Sequence, residues 1–187
     1  MKTLFKILGY LIYIPACLLF IFELYRTAQI VIPQYKIYTW FAAGMLAYFV
    51  LGIFFKRNRK FLQTFSHELT HTLVGMLFLR RIHSFTAERG EGVMSYSTGR
   101  FKLGDTMISL APYFLPIFTI FFMLIKPVVA GDAVYIFDAL IGFTFAFHIG
   151  CFIAQTGSYQ TDIQKNGLFY SYLIIATFLA LNISLVL

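Results

Sequence analysis

The chain has 187 residues, of which 59% are hydrophobic and only 12% are charged. Soluble globular domains are nearer half apolar and a quarter charged, so the composition excludes an ordinary soluble domain. The net charge of +7 does not indicate a nucleic-acid surface, because the basic residues lie in short loops between apolar runs, without interleaved exposed aromatics. We therefore expect an integral membrane protein whose basic loops contact lipid headgroups, and no nucleic-acid partner.

The first two apolar runs, residues 7–22 and 38–55, are predicted to be membrane helices. Lys2 and Lys6 precede the first run, which gives it the basic start of a signal peptide. The run continues past Cys17 without a small-residue cleavage site after it, and this favours a retained membrane helix over a cleaved one.

The third run, residues 61–79, reads "FLQTFSHELTHTLVGMLFL" and carries ionisable residues in its middle. His67, Glu68 and His71 have apolar residues on both sides, as a membrane helix would. Ionisable groups are costly inside a membrane and usually mark a functional interior. A polar seam within a helix bundle is the alternative interpretation, but it must account for three costly groups in one turn of helix.

The sizeable polar connection that follows, residues 80–105, contains the signature of a β-hairpin. Two alternating segments, "IHSFTA" and "GVMSYST", flank the glycine-containing turn "ERGEG". An isolated hairpin is marginally stable, so residues 82–98 are expected to rest on the membrane helices or to dip among them.

Three more apolar runs, residues 106–125, 133–156 and 168–187, complete the chain, and a polar patch at 154–167 separates the last two. The predicted fold is an all-α polytopic membrane protein with about six transmembrane helices and a small β-hairpin between helices 3 and 4. It is a single integral membrane domain: two N-terminal helices in 1–60, a core in 61–167 and a C-terminal helix in 168–187. Lys and Arg divide almost evenly between the two sides, so the orientation stays open, as does the oligomeric state.

The spacing of the ionisable residues in the third run predicts a metal site. Residues four apart lie on one face of a helix, so His67 and His71 can offer two nitrogens to one ion. Glu68 is placed to act as a general base on a water molecule beside that ion, which is the chemistry of the H-E-x-x-H pattern. Zinc suits paired imidazoles, and a catalytic zinc takes three protein ligands. The third must lie elsewhere in the chain, and the candidates are Asp162, His148, Asp138 and His83.

Several other residues have both a packing and a functional interpretation. Pro112 and Pro116 kink a helix, either for packing or to open a path for a substrate. Gly75 is expected to allow close helix contact. Tyr159 and Asn166 lie near Asp162 and can donate hydrogen bonds to an oxyanion.

The chain resembles the site-2 protease family of intramembrane zinc metalloproteases. The resemblance covers residues 61–167: "HELTH" in an apolar helix, a hairpin-like segment, the proline-containing helix "ISLAPYFLPIFTIFF", and a late Asp in "QTDIQKNG". It implies that Asp162 completes a zinc site with His67 and His71, and that Glu68 is the catalytic base. His148 is then a core imidazole or a residue that orients the ligands.

The resemblance also implies the function: cleavage of a membrane-embedded protein substrate by metal-activated water. The family's Asp-Gly pair is absent, because Ile163 follows Asp162. A non-proteolytic membrane protein that retains the zinc site, as a pseudoprotease or metal-binding scaffold, is therefore the alternative. For Asp162 to reach the metal, the patch at 154–167 must fold into the membrane, where irregular backbone is tolerated only inside protein or along a water-filled cavity.

Overall fold

The computed structural model describes residues 2–54, 56–88, 90–97 and 102–187. Within them the chain is largely helical, with a two-stranded sheet between the third and fourth helices. The elements are α1 (Lys2–Val31), α2 (Thr39–Phe54), α3 (Lys56–Leu77), β1 (Ile82–Ala87), β2 (Gly92–Tyr96), α4 (Lys102–Phe114), α5 (Ile117–Ile125), a 3₁₀ helix (Lys126–Val128), α6 (Ala133–Gln155), α7 (Thr161–Asn166) and α8 (Leu168–Val186). Phe55 and Thr98, where a predicted helix and the predicted hairpin end, lie outside the described residues.

Three of the described helical segments are long and apolar enough to cross a membrane: Lys6–Val31, Ala133–Gln155 and Leu168–Val186. They indicate a membrane protein with a helical fold. The sequence predicted about six crossings. Among the described residues, α2 has 16 residues, fewer than the roughly 20 that span the hydrocarbon core, and α3 begins with the basic segment "KRNRK".

The run at 106–125, predicted as one helix kinked at its prolines, is two helices. Leu103–Phe114 and Ile117–Val128 meet at a bend of 81°, so they form either one broken span or a re-entrant loop. Pro116 stands at the break with φ −81° and ψ 73°. Proline has no N–H for the helix ladder and disfavours helical backbone at the residue before it, which explains why α4 stops here.

A specific hydrogen-bond pattern ends α3 and turns the chain into the hairpin. Leu79 has a left-handed backbone with φ 54°. The Arg80 N–H donates to the Gly75 carbonyl (2.8 Å), and the Leu79 N–H donates to the Met76 carbonyl (2.9 Å). This pair of bonds is a Schellman motif, which satisfies carbonyls at the end of a helix.

The predicted hairpin is present. Strands β1 and β2 pair antiparallel, with Ser84 opposite Ser95 and Ala87 opposite Gly92. The hairpin lies on α3: a Cβ added to Gly75 would be 3.1 Å from Ile82 Cδ1. Gly75 therefore makes room for the hairpin, whereas the sequence suggested close contact between helices.

Helix α4 runs through the core that positions the site. Ile108 and Leu110 of α4 are fully buried, and they form one cluster with Ile163 of α7 and Ile174 of α8. Contacts of α4 with α3, α7 and α8 bring the early and late parts of the chain together.

Candidate metal centre

The two histidines of α3 meet the carboxylate of α7. The imidazole rings of His67 and His71 lie 4.7 Å apart between centroids, as expected for residues one helical turn apart. Asp162 Oδ2 lies 3.3 Å from His71 Nε2 and 3.8 Å from His67 Nε2. One ligand atom from each residue lies within 4.8 Å of the others, so this group can hold a metal ion.

The donor set and its spacing fit a small ion. Zinc takes nitrogen and oxygen ligands at about 2.0–2.2 Å, which places the donors of a tetrahedral site roughly 3.3–3.6 Å apart. The observed separations of 3.3 Å and 3.8 Å are close to that range. Both histidines have their side chains almost fully buried, so bulk water competes little for the ligand atoms.

The two histidines differ in what their Nδ1 atoms contact. His71 Nδ1 is 2.7 Å from the backbone oxygen of Ile108 in α4. A carbonyl can only accept, so Nδ1 carries the proton and donates it, which leaves Nε2 available for a metal. His67 Nδ1 is buried and has no hydrogen-bond partner within the described part of the chain.

Glu68, a residue of α3, is buried against the start of β2. Only 8% of its surface is exposed to solvent. A Cβ added to Gly92 would lie 2.6 Å from both the Cγ and the Oε1 of Glu68. The carboxylate of Glu68, the predicted base, is thus beside the backbone of β2. In the sequence, Glu68 directly follows His67, a candidate metal ligand.

Three hydrogen bonds hold α7 in place behind Asp162. Asn166 bridges to α4: its Oδ1 accepts from Thr106 Oγ1 (2.9 Å) and its Nδ2 donates to Ser109 Oγ (3.0 Å). On the other side, Ser171 Oγ of α8 donates to the Ile163 carbonyl at 2.8 Å. The Asn166 amide, predicted as an oxyanion donor, is engaged in this helix contact.

The surroundings of Asp162 favour its ionised form. Burial raises the pKa of the carboxyl group, but the contacts with His67 and His71, and then the charge of Lys165, lower it by more. The net pKa lies well below the ordinary value. Lys165 Nζ is 3.1 Å from Asp162 Oδ1, the oxygen that the histidines leave free. A metal ligand must be deprotonated, so these charges suit the role.

The remaining third-ligand candidates lie outside this group. His148 is buried in α6, and its Nε2 has no hydrogen-bond partner among the residues that the structure describes. Asp138 forms an ion pair with Lys126. His83 is exposed on β1. Of the four candidates, the geometry favours Asp162.

Sequence reasoning missed two residues that the structure places at the site. Ile108 contributes only its backbone oxygen, and Gly92 contributes only the absence of a side chain. A usable signal existed for Ile108, because a proline occurs four residues after it, at position 112.

No protein-family model, no curated protein and no solved structure matches this chain. The resemblance to the site-2 protease family therefore rests on the residues themselves.

Proposed function

We propose that the chain is a multi-pass intramembrane zinc metalloprotease that resembles the site-2 class. The observation that supports this proposal best is the convergence of His67, His71 and Asp162 from distant parts of the chain. Glu68, the residue that the H-E-x-x-H pattern assigns as base, is buried beside them. Two imidazoles and one carboxylate are a common ligand set of catalytic zinc sites.

In this proposal His67, His71 and Asp162 hold the zinc. A zinc ion held by these three residues would supply Lewis-acid chemistry, polarising a carbonyl and lowering the pKa of water towards about 7. Glu68 accepts the proton of the attacking water and then delivers it to the leaving amine of the cleaved peptide bond. The burial of Glu68 between α3 and β2 keeps this proton transfer away from bulk solvent.

The proposed substrate is a membrane-embedded protein segment that is locally unwound at the site. Strand β1 is largely exposed and pairs with β2 in a two-stranded sheet. An extended peptide can add to such a strand, which is a recognised mode of peptide binding. The surrounding lipid is the second partner, because α1 carries many exposed apolar side chains.

The alternative is a membrane protein that keeps a metal site without proteolysis. Such a scaffold needs His67, His71 and Asp162, but it has no use for a carboxylate buried beside them. The position of Glu68 therefore favours the protease.

The test compares purified wild type with Glu68→Gln. We expect both proteins to bind one zinc ion, and we expect the variant to cleave a panel of transmembrane substrates at least about a hundredfold more slowly, the usual effect of losing a general base. If both proteins bind zinc and the wild type cleaves no substrate of a broad panel, the protease proposal is wrong and the metal-binding scaffold is favoured.

A second pair of variants tests the third ligand. Asp162→Ala removes an oxygen that lies 3.3 Å from His71 Nε2, so zinc affinity should fall sharply. His148→Ala, a buried histidine outside the group, should lower zinc affinity much less. The measurement is zinc competition against a chromophoric chelator. A larger loss for His148→Ala would contradict the assignment of Asp162.

A further inference from the structure

One backbone carbonyl in α4, that of Ile108, lacks the hydrogen-bond donor that an α-helix normally provides. In an α-helix the carbonyl of one residue accepts from the N–H four residues later. Four residues after Ile108 stands Pro112, which has no N–H. Pro112 lies inside α4, and the helix continues to Phe114.

The missing bond leaves a buried acceptor. Ile108 is 0% exposed. A buried acceptor without a donor is costly, because it has lost its hydrogen bonds to water and gained none in the protein. The donor that the structure provides is His71 Nδ1, 2.7 Å from the Ile108 oxygen.

The same contact fixes how His71 faces the metal group. With its Nδ1 proton directed at Ile108, the ring turns Nε2 towards Asp162 Oδ2, 3.3 Å away. Hydrogen bonds of this kind hold metal-binding histidines in the required tautomer and orientation.

We propose that Pro112 is a positioning residue for the metal site: by withholding an N–H from the Ile108 carbonyl, it keeps that carbonyl free to orient His71. The inference rests on the proposed metal site but not on proteolysis. This role would explain why α4 contains Pro112, although proline inside a helix is unfavourable.

The test is Pro112→Ala, measured by zinc competition and by thermal unfolding of the metal-free protein. The alanine N–H would bond the Ile108 carbonyl and compete with His71. We expect the zinc dissociation constant to rise about tenfold, within the range seen when such partners are lost. We expect the metal-free variant to unfold at a temperature equal to or above that of wild type, because α4 regains a helix bond. Damage to the fold would instead raise the dissociation constant and lower the unfolding temperature together.

Pro15→Ala is the matched control. Pro15 also lies inside a helix, α1, and that helix contributes no residue to the metal group. The same substitution should leave zinc affinity unchanged. Unchanged zinc affinity in Pro112→Ala would overturn the inference alone, whereas a wild type that binds no zinc would overturn it together with the proposed function.

A second measurement covers a Pro112→Ala variant that does not fold. In zinc-loaded wild type carrying ¹⁵N-histidine and a ¹³C-labelled Ile108 carbonyl, nuclear magnetic resonance should detect the hydrogen bond from His71 Nδ1 to that carbonyl. A His71 Nδ1 proton that bonds another group would overturn the inference.

Discussion

At the scale of single residues, the side chain of Glu68 occupies space that a glycine, Gly92, leaves open. Gly92 begins β2 and faces the carboxylate. A Cβ at this position would be 2.6 Å from Glu68 Oε1 and 2.8 Å from Thr64 Cγ2. Since carbon atoms pack at about 3.5–4.0 Å, either the hairpin or the Glu68 side chain would have to move.

On the proposed function, we expect Gly92→Ala to slow cleavage of a transmembrane substrate by roughly a hundredfold, because a displacement of about 1 Å can have that effect on a catalytic group. Zinc content should be retained, because the substituted position faces Glu68 and not the ligand atoms. Gly52→Ala is the control, since a Cβ there meets nothing within 4 Å. Cleavage at the wild-type rate by Gly92→Ala would show that the Glu68 side chain does not need this space.

The residues that a pattern can identify are those that act through their side chains. His67, Glu68 and His71 were predicted because their spacing on a helix has direct chemical meaning. Ile108 acts through its backbone oxygen, and Gly92 acts through its missing Cβ. Their residue types therefore do not indicate a role at the site. The proline four residues after Ile108 marks a carbonyl without its usual donor, but the residue that contacts this carbonyl is seen only when the two helices are packed together.

At the scale of elements, two glycines let α2 and α6 approach closely. A Cβ at Gly142 of α6 would overlap the carbonyl of Phe41, and a Cβ at Gly44 of α2 would overlap the carbonyl of Ala139. The two backbones therefore touch directly at this crossing. Small residues at helix crossings are typical of packing in membranes, where close contact drives association.

Gly142→Ala should force α2 and α6 apart. We expect a loss of about 1–3 kcal/mol in the free energy of unfolding, the usual cost of overpacking. The measurement is thermal or denaturant unfolding in detergent, again with Gly52→Ala as the reference for the effect of alanine itself. A variant as stable as that reference would mean that the two helices can separate without cost.

The sequence predicted the existence of elements better than their continuity. The hairpin followed from alternating residues and a glycine turn, and it is present. The run at 106–125 was predicted as one helix kinked at Pro112 and Pro116, because its apolar side chains continue across both prolines and the local sequence does not show which proline ends a helix. Pro112 is tolerated inside α4, whereas Pro116 ends it. At Pro112 a neighbouring helix supplies a donor for the freed carbonyl, which sequence alone does not show.

At the scale of the whole molecule, the candidate site depends on how α4 joins two distant parts of the chain. His67 and His71 come from α3, and Asp162 comes from α7, almost a hundred residues later. The sequence placed Asp162 in the site only through resemblance, by its order along the chain. Local sequence patterns do not show how close such remote segments lie in the folded protein. The distance between them is set by the packing of α4 against α3, α7 and α8.

Asn166 provides the polar contact between α7 and α4, and we expect its loss to weaken metal binding. Its amide contacts Thr106 Oγ1 at 2.9 Å and Ser109 Oγ at 3.0 Å. Asn166→Ala would leave α7 held by its apolar contacts and by the Ser171 bond, so Asp162 would be less well positioned.

We expect the zinc dissociation constant of Asn166→Ala to rise about tenfold, as for other residues that support metal ligands. Gln164→Ala is the control in the same short helix, because Gln164 bonds only the exposed Ser158 carbonyl among the contacts described for its side chain. Both variants would be titrated with zinc against a chromophoric chelator. Equal affinities would mean that buried Ile163 and the rest of the α7–α8 contact position Asp162 without the amide. A selective loss in Asn166→Ala would show that the metal site depends on the packing of α4 as well as on its three ligands.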